Sequence, residues 1–483
     1  MVLLAVGTFN TPELCTVRFD PTSHRLELVS TSDVVGKHSW LSTAVIRPSA
    51  SRALVGSAEP PTHLYATCWT EPPSVAAYRI RKEPGHRGPS DAAGFELLNT
   101  APTAARSGYV TIGQPANHPH PVLYTISGPG GEVIGIDAET GAFDAHGRKH
   151  AKVIPDSGGR IQELDCVAGR CSRPGRTLKD DAAGAHHDSG VTGSGGGANA
   201  MPKLDGSGGK NNGDFGGLRH GAHGVDLSVD GRVAFVPDIG RNCIWVYDVD
   251  PDDGTLSLAQ KYALSRANDG PRHTIAHPGG RYLYCLQEHS SYVDVFEIFP
   301  AGHGGDGRGT RIEWRQGVRI IPRSEDETLY WADEVRVSAP TDDGSRPFLY
   351  ASTRGLAKGT RGWVAVFQLD RDGAIVAPAS LQADEVEVDV EAREEGWSVA
   401  MWQTPTSGGW ADAIEPAPTM LVDGSGRPQH YAALTDSEEG VLRILELVSP
   451  AGGPCRIEEV ATLDLGRSAA GELREAATAV WLG

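Results

Sequence analysis

The stretch GAHGVDLSVDGRVAFVPDIGRNCIWVYDVD, residues 221–250, contains two short apolar runs, RVAFVPDI and CIWVYDVD, each followed by a polar break. Apolar and polar residues alternate within each run, and Gly, Pro, Asp or Asn ends it, which is typical of half-buried antiparallel strands. A third run, HGVDLSVD, precedes them. The stretch therefore predicts three neighbouring strands. His223 lies at the start of the first strand, and the strand pattern gives no reason for a histidine there.

The same unit recurs along the chain, stretched by insertions. Its paired strands are LLAVGTF with LCTVRFD, RALVGSAE with SVAAYRI, PVLYTISG with EVIGIDAETGAF, RVAFVPDI with CIWVYDVD, RYLYCLQEH with YVDVFEIF, PFLYASTRG with WVAVFQLD, and HYAALTDSEEG with VLRILELV. Internal repeats with a period of about 50 residues indicate a propeller or a solenoid. Seven copies favour a seven-bladed β-propeller.

The chain termini indicate how the ring closes. Most copies follow a leading strand, but the leading strand for the first copy, ATAVWLG, lies at the extreme C-terminus. This displacement is expected when the last segment completes a blade that begins at the N-terminus. We predict an all-β chain in which residues 1–483 form a single seven-bladed propeller whose N- and C-termini share one blade.

One region breaks the repeat. Residues 156–218 are rich in Gly, Ser and Asp and have almost no apolar periodicity, so we predict a flexible insertion between blades three and four. The histidine pair at 186–187 and the cysteines Cys166 and Cys171 within it match no zinc-ligand spacing. We therefore expect no metal site in this region.

Composition narrows the classes of partner. The formal net charge of −18 opposes binding to nucleic acid or to anionic membranes, and we expect neither partner.

The seven cysteines are scattered and odd in number, and MVLLAVGTFN at the N-terminus has neither a basic region nor a long apolar run, so we expect a cytoplasmic protein. No GxSxG, HExxH, P-loop or dinucleotide-binding motif occurs, and we expect no cofactor and no metal.

Strand direction groups several polar residues. The first two strands of a blade run antiparallel, so the start of the first and the end of the second lie at the same end of the propeller. This rule places on one rim a set of residues from the adjacent blades four, five and six: His223, Arg272, Glu288 and Arg354. We predict that they converge at the mouth of the central channel as catalytic residues.

Further residues share this rim. We expect five of them to contact the substrate: Trp40, His273, Trp331, Trp410 and Asp412. Ser39, Asp333, Asp238 and Asp436 are expected on the same side. A plainer interpretation also holds for each, because polar residues commonly end strands through solvation alone and tryptophans fill the space between blades.

The motifs GAHGVDLSVDGRVAFVPDIG, GPRHTIAHPGGRYLYCLQEH, LYASTRG with GWVAVFQL, TPTSGG and LTDSEEGVLRILEL resemble those of lactonase-type seven-bladed propellers, most closely the fungal 3-carboxy-cis,cis-muconate cyclases, or carboxymuconate lactonizing enzymes. The resemblance implies an isomerase that closes 3-carboxy-cis,cis-muconate, or a related unsaturated acid, to a lactone without a cofactor. It places that reaction in the β-ketoadipate route of aromatic breakdown.

The resemblance also implies roles for residues. The family's active residues fall on the four that strand direction selects, with Arg272 and Arg354 gripping substrate carboxylates. His223 is favoured as the proton donor and Glu288 as the group that orients it, although the two can exchange roles. The sequence departs from the family at Trp410 and Asp412, where a related cyclase has histidine and asparagine, and at His273, where an aromatic residue is expected.

Three other functions fit the same fold. One is a cyclase of secondary metabolism, including a pericyclic one, whose apolar pocket mainly folds its substrate. Another is a hydrolytic sugar lactonase, and the last is a propeller that serves only as a binding scaffold. For the muconate-type function the expected partner is a small carboxylate substrate, and a homo-oligomer is compatible with the sequence.

Overall fold

The computed structural model describes residues 1–46, 59–82, 93–150, 152–184, 221–303, 309–338, 347–377, 397–449 and 454–483. These residues form seven antiparallel sheets. The innermost strands of neighbouring sheets contact one another in sequence, from the first sheet round to the last, and so close a ring. The fold is a seven-bladed β-propeller, as the repeat predicts.

The strands of the first three blades are as follows. Blade one contains β1 (Val2–Thr8), β2 (Glu13–Asp20), β3 (Arg25–Asp33) and the C-terminal β30 (Ala476–Trp481); blade two contains β4 (Leu41–Ala44), β5 (His63–Cys68), β6 (Ser74–Lys82) and β7 (Ala93–Pro102); blade three contains β8 (Tyr109–Gly113), β9 (Val122–Ile126), β10 (Gly130–Gly135), β11 (Arg160–Asp165) and β12 (Arg170–Cys171).

The remaining blades follow in chain order. Blade four contains β13 (Asp226–Leu227), β14 (Val233–Asp238), β15 (Cys243–Val249) and β16 (Leu256–Ala263); blade five contains β17 (Pro271–Ala276), β18 (Tyr282–Gln287), β19 (Tyr292–Phe299) and β20 (Arg311–Arg319); blade six contains β21 (Tyr330–Val337), β22 (Phe348–Gly355), β23 (Trp363–Gln368) and β24 (Ala400–Gln403); blade seven contains β25 (Ile414–Pro416), β26 (Leu421–Val422), β27 (Pro428–Asp436), β28 (Val441–Val448) and β29 (Arg456–Asp464).

Helical structure is sparse. The described residues contain the short helix α1 (Leu178–Gly184) and a 3-10 turn at Glu327–Leu329. Within this described part of the chain, no helix has the length and apolarity required to cross a membrane.

Two sequence predictions are corrected by the structure. The partner of β6 is β5, with the sequence HLYATC, rather than RALVGSAE, of which residues 52–58 lie outside the described residues. Both are short runs rich in apolar residues, so composition alone does not choose between them. The predicted insertion also begins too early, because β11 pairs with β10 and buries Ile161 in the core. Residues 185–218 of the predicted insertion lie outside the described part.

A recurring contact joins neighbouring blades. In three blades a fully buried tyrosine on the second strand donates its hydroxyl hydrogen to a glycine carbonyl in a turn of the next blade. The pairs are Tyr65 with Gly141 (2.8 Å), Tyr124 with Gly254 (2.8 Å) and Tyr284 with Gly373 (2.5 Å). Each of these glycines has a positive φ, between 76° and 100°, which side chains disfavour. The repeated turn motif therefore links blades as well as strands.

Ring closure depends on β30, which pairs with β1 across the termini. The guanidinium of Arg474 binds Glu13 through two hydrogen bonds of 2.9 and 3.2 Å, and each side chain is only 10% exposed. Burial resists the charge of Glu13, but the hydrogen bond from Arg474 is the stronger influence and lowers the pKa of that carboxyl. The pair thus fastens the last segment to the first blade.

We expect Arg474→Met to reduce the free energy of unfolding by about 2–4 kcal/mol, because Glu13 is left buried without its partner. Denaturant unfolding measures the change. The control is Arg456→Met, which removes an exposed pair with Glu458 and should cost less than about 1 kcal/mol. Equal losses in the two variants would contradict a closing role for Arg474.

Candidate active site

A cavity opens at one end of the central channel, with an empty volume of about 720 Å³ including the part open to solvent. It lies where the innermost strands begin and the second strands end. Its lining is Phe9, Ser39, Trp40, Trp69, Gly108, His223, Arg272, His273, Glu288, Trp331, Asp333, Arg354, Trp410, Ala411, Ala413 and Ala477. The structure therefore places all four predicted catalytic residues in one cavity.

Two β-bulges shape this lining. The register of β17 against β18 shifts between Pro271 and His273, so Arg272 is an extra residue in the strand. Consecutive side chains of a regular strand point to opposite faces, whereas Arg272 and His273 both line the cavity. A second bulge lies in β21, between Ala332 and Glu334. It leaves Asp333 in the cavity lining and Glu334 buried directly behind it.

Arg272 is the centre of an ion-pair network. Its Nη1 lies 3.3 Å from Glu288 and its Nη2 lies 3.0 Å from the Asp333 carboxylate, while its Nε donates to the Asp333 carbonyl. Burial opposes the charge of Glu288, but Arg272, together with His289 and Arg354, outweighs it and lowers the pKa of that carboxyl. Glu288 is therefore a carboxylate at neutral pH.

Arg354 faces the same two carboxylates from the neighbouring blade. Its Nη2 lies 3.7 Å from Glu288 and its Nε lies 3.8 Å from Asp333. Its Nη1 donates to the Trp410 carbonyl at 2.8 Å, and its guanidinium lies 5.2 Å from the centre of the Trp331 ring. These contacts fix a cation at the cavity wall, in a position from which it can meet an anionic ligand.

His223 contacts a second histidine. Its Nδ1 lies 3.0 Å from Nε2 of His273, which leaves its own Nε2 as the nitrogen available to the cavity. Burial lowers the pKa of both histidines far below the ordinary value, and the positive charge of Arg272 lowers each further. Both imidazoles are therefore neutral at physiological pH.

The rest of the wall is aromatic. Trp40 stacks on Tyr109 with ring centres 4.0 Å apart, and both rings meet the edge or face of His273. Trp69, Trp331 and Trp410 are further lining residues. Such walls exclude water and strengthen charge interactions inside the cavity.

Asp412, expected to contact the substrate, does not line the cavity. Its side chain is buried against Gly362 and Gly408, and burial raises the pKa of its carboxyl well above the usual range. Its contribution is the backbone amide, which donates to Asp333 at 3.1 Å. Asp238 and Asp436 also lie outside the lining and pair with Arg241 and Arg443.

Sequence reasoning missed several lining residues. Trp69 follows the strand that was assigned to the wrong run, and Phe9 lies in the turn after β1. Three lining residues have no functional group that a sequence motif could reveal: Ala411, Ala413 and Ala477. Their small side chains leave room for the cavity. Glu334 was also missed, since only the bulge brings it next to His273.

Comparison with known proteins agrees with this architecture. The family profile described as "Lactonase, 7-bladed beta-propeller" matches residues 198–386. Over 449 residues the chain is 33% identical to "Muconate cycloisomerase 1" of Cutaneotrichosporon cutaneum, which covers 93% of this chain and 91% of that protein. The chain belongs to the lactonase-type seven-bladed propeller family.

Solved structures with the same fold share less sequence with this lactonase-family propeller. A putative 6-phosphogluconolactonase from Bacteroides fragilis superposes with a TM-score of 0.57 at 17% identity, covering 99% of this chain and 97% of that one. The periplasmic gluconolactonase PpgL of Pseudomonas aeruginosa gives a TM-score of 0.59 at 16% identity, covering 100% and 99%. At these identities the likeness shows the fold alone.

Proposed function

We propose that this protein is a cofactor-free cycloisomerase that converts a cis,cis-muconate-type acid to a lactone. The observation that carries the proposal is the convergence of His223, Arg272, Glu288 and Arg354 in one cavity of a chain related to a muconate cycloisomerase. The expected ligand is a small carboxylate. A cytoplasmic location and a place in aromatic breakdown belong to the same proposal. The seven cysteines, all within the described residues, form no disulfide, which agrees with a reducing compartment.

Substrate binding relies on the two arginines. A carboxylate of the substrate meets Arg354 and Arg272, whose guanidinium groups offer paired donors. Holding this carboxylate against the far alkene makes ring closure effectively unimolecular. The tryptophan wall covers the diene and excludes water from the closing ring.

Ring closure moves charge to the other carboxylate. The attacking oxygen bonds to the carbon β to that carboxylate, and the alkene electrons pass into an enediolate, which an arginine stabilises. A proton then forms a C–H bond at the α carbon. We assign this proton to His223 rather than Glu288, because the arginines keep Glu288 ionised and a carboxylate has no proton to give.

The charge balance of the cavity favours a substrate with two carboxylates over one with three. Arg272 and Arg354 already face Glu288 and Asp333, so these four groups sum to zero. These four groups leave no surplus cation for the substrate, so each further substrate carboxylate adds uncompensated negative charge to the cavity. We therefore propose cis,cis-muconate as a better substrate than its 3-carboxy derivative.

The aromatic wall supports a second candidate, a secondary-metabolite cyclase that folds an apolar polyene. The two candidate functions predict that different substitutions reduce turnover most. For the muconate-type reaction Arg354→Ala should reduce turnover more than Trp331→Phe does, because a phenyl ring preserves the wall. The opposite ranking, measured on an apolar polyene substrate, would favour the second candidate.

The direct experiment is incubation of the purified protein with cis,cis-muconate, with 3-carboxy-cis,cis-muconate and with a sugar lactone. Loss of diene absorbance follows the first two, and acid release follows opening of the third. We expect the highest kcat/KM with cis,cis-muconate. Lactone opening without any loss of diene would replace the proposal with the hydrolytic alternative.

A further inference from the structure

A line of three titratable side chains runs from the cavity into the channel wall. His223 Nδ1 lies 3.0 Å from His273 Nε2, and His273 Nδ1 lies 3.1 Å from Glu334 Oε1. The side chains of His273 and Glu334 are only 2% and 1% exposed. The three groups come from blades four, five and six, so the propeller ring itself brings them into line.

The neutral state of the histidines poses a chemical problem for the proposed reaction. Both face arginines: His223 faces Arg272 and Arg354, and His273 faces Arg272 and Arg336, besides the carboxylates of Asp333 and Glu288. These arginines and burial disfavour an imidazolium. A neutral imidazole releases its Nε2 hydrogen readily only if its Nδ1 gains a proton in the same event.

Glu334 is suited to supply that proton. Its Oε1 accepts from the Val335 amide at 3.0 Å and from Arg336 at 2.7 Å. Within the described part of the structure, its Oε2 and the neighbouring His273 Nδ1 have no hydrogen-bond partner. A protonated Glu334 carboxyl could donate to His273 Nδ1, which lies 3.1 Å from Glu334 Oε1.

The surroundings of Glu334 bring its titration close to neutrality. Burial raises the pKa of Glu334 to about 7, against the attraction of Arg336. Asp333 raises this pKa further and Arg272 lowers it. Tyr109, Asp226 and Glu415 face the same arginine from blades three, four and seven.

We propose that His273 and Glu334 act as positioning residues that form a proton relay to His223. This inference rests on the proposed function, because it uses His223 as the donor. The protonated carboxyl of Glu334 gives its proton to His273 Nδ1, the Nε2 hydrogen of His273 passes to His223 Nδ1, and the Nε2 hydrogen of His223 passes to the substrate.

The step balances without an imidazolium. The electron pair of the substrate enediolate forms the new C–H bond at the α carbon, and both histidines end in the opposite tautomer. Glu334 is left as a carboxylate. Conversion of one substrate carboxylate to a lactone consumes one proton from solvent, which restores Glu334. Beyond Glu334, Arg336 pairs with Glu415, whose side chain is 34% exposed, so solvent lies two side chains beyond the relay.

The relay can be tested on the protein without substrate. Nitrogen-15 NMR of labelled histidine distinguishes the Nε2–H tautomer, the Nδ1–H tautomer and the imidazolium, and His223→Gln and His273→Gln assign the signals. We expect both rings to change from Nε2–H to Nδ1–H as the pH rises through about 7, with no imidazolium. Fixed tautomers in the wild-type protein across this range would overturn the relay, whatever the substrate proves to be.

Kinetics supply the second test. Glu334→Gln removes the transferable proton, so we expect kcat to fall about 100-fold with KM unchanged. Wild-type kcat should decrease as the pH rises above about 7, because the protonated form of Glu334 is lost there. That decrease should be absent in Glu334→Gln.

The matched control is Glu132→Gln. Glu132 is likewise a buried carboxyl whose pKa burial raises to about 7, but it lies in β10, away from the cavity, and accepts from the Ala104 amide. We expect unchanged kinetics in this variant. If Glu334→Gln kept the wild-type pH profile while lowering thermal stability, its role would be structural and the relay would be wrong. Absence of turnover in the wild type, with the tautomer change intact, would instead contradict the proposed function alone.

Discussion

Replacing Arg354 by alanine is expected to lower kcat/KM for cis,cis-muconate by about 100- to 1,000-fold. The guanidinium lies at the cavity wall, held by the Trp410 carbonyl and the Trp331 ring, and its loss removes a cation that the substrate carboxylate needs. Glu288 and Asp333 keep their contacts with Arg272, so the network retains one cation. Both a higher KM and a lower kcat should result, measured by steady-state loss of diene absorbance.

The control for this variant is Arg361→Ala. Arg361 lies in the same blade and also donates to backbone carbonyls, those of Thr404 and Gln403, but it is outside the cavity lining. We expect its kinetics to match the wild type. Activity of Arg354→Ala within threefold of Arg361→Ala would contradict substrate binding by Arg354.

For His223→Gln we expect kcat to fall by about 100- to 10,000-fold, with little change in KM. Glutamine can still form a hydrogen bond with His273. It cannot replace the proton donor, because it has no second ring nitrogen through which a proton given to the substrate is restored. The carboxylate-binding arginines are untouched, which is why binding should persist. Single-turnover and steady-state rates together separate the chemical step from binding.

His277→Gln serves as the matched control for the histidine. His277 follows β17, in the same blade as His273, and accepts from the Gly279 amide at 3.0 Å, but it does not line the cavity. A small effect there and a large one at His223 would agree with the proposal. If His223→Gln remained active while Glu288→Gln lost activity, the proton donor would be Glu288.

The repeat made the fold predictable. Apolar alternation in runs such as RVAFVPDI and CIWVYDVD located most strands, and the displaced ATAVWLG correctly indicated a blade shared by the termini. The error in blade two arose because HLYATC and RALVGSAE are both short runs rich in apolar residues. The error around β11 arose because a composition rich in glycine and charge concealed a strand whose Ile161 and Leu164 are buried.

The rim was predictable from strand direction, but the inner arrangement of the site was not. Period-two alternation allows only one of Arg272 and His273 to point toward the channel, and it does not place Glu334 next to His273. The β-bulges in β17 and β21 interrupt the two-residue alternation of side-chain direction, and no pattern in the sequence predicts where they lie. Contacts between blades, such as His273 with Glu334, therefore required the three-dimensional structure.

The direction in which the Asp412 side chain points could not be predicted from its position in the sequence. It stands close in sequence to Trp410, which lines the cavity, yet its side chain turns toward Gly362 and Gly408. Neither glycine has a side chain, so together they leave space for the carboxyl between blades six and seven. The sequence reveals that these residues are near the rim but not which way Asp412 points.

The central claim is that this cavity closes an unsaturated dicarboxylate to a lactone with one proton added at carbon. The most direct measurement is reaction of cis,cis-muconate in ²H₂O, with the product analysed by NMR. We predict a lactone that carries a single deuterium, on one face of the carbon next to the free carboxylate. Recovery of unchanged diene, or of a lactone with deuterium on both faces equally, would contradict it.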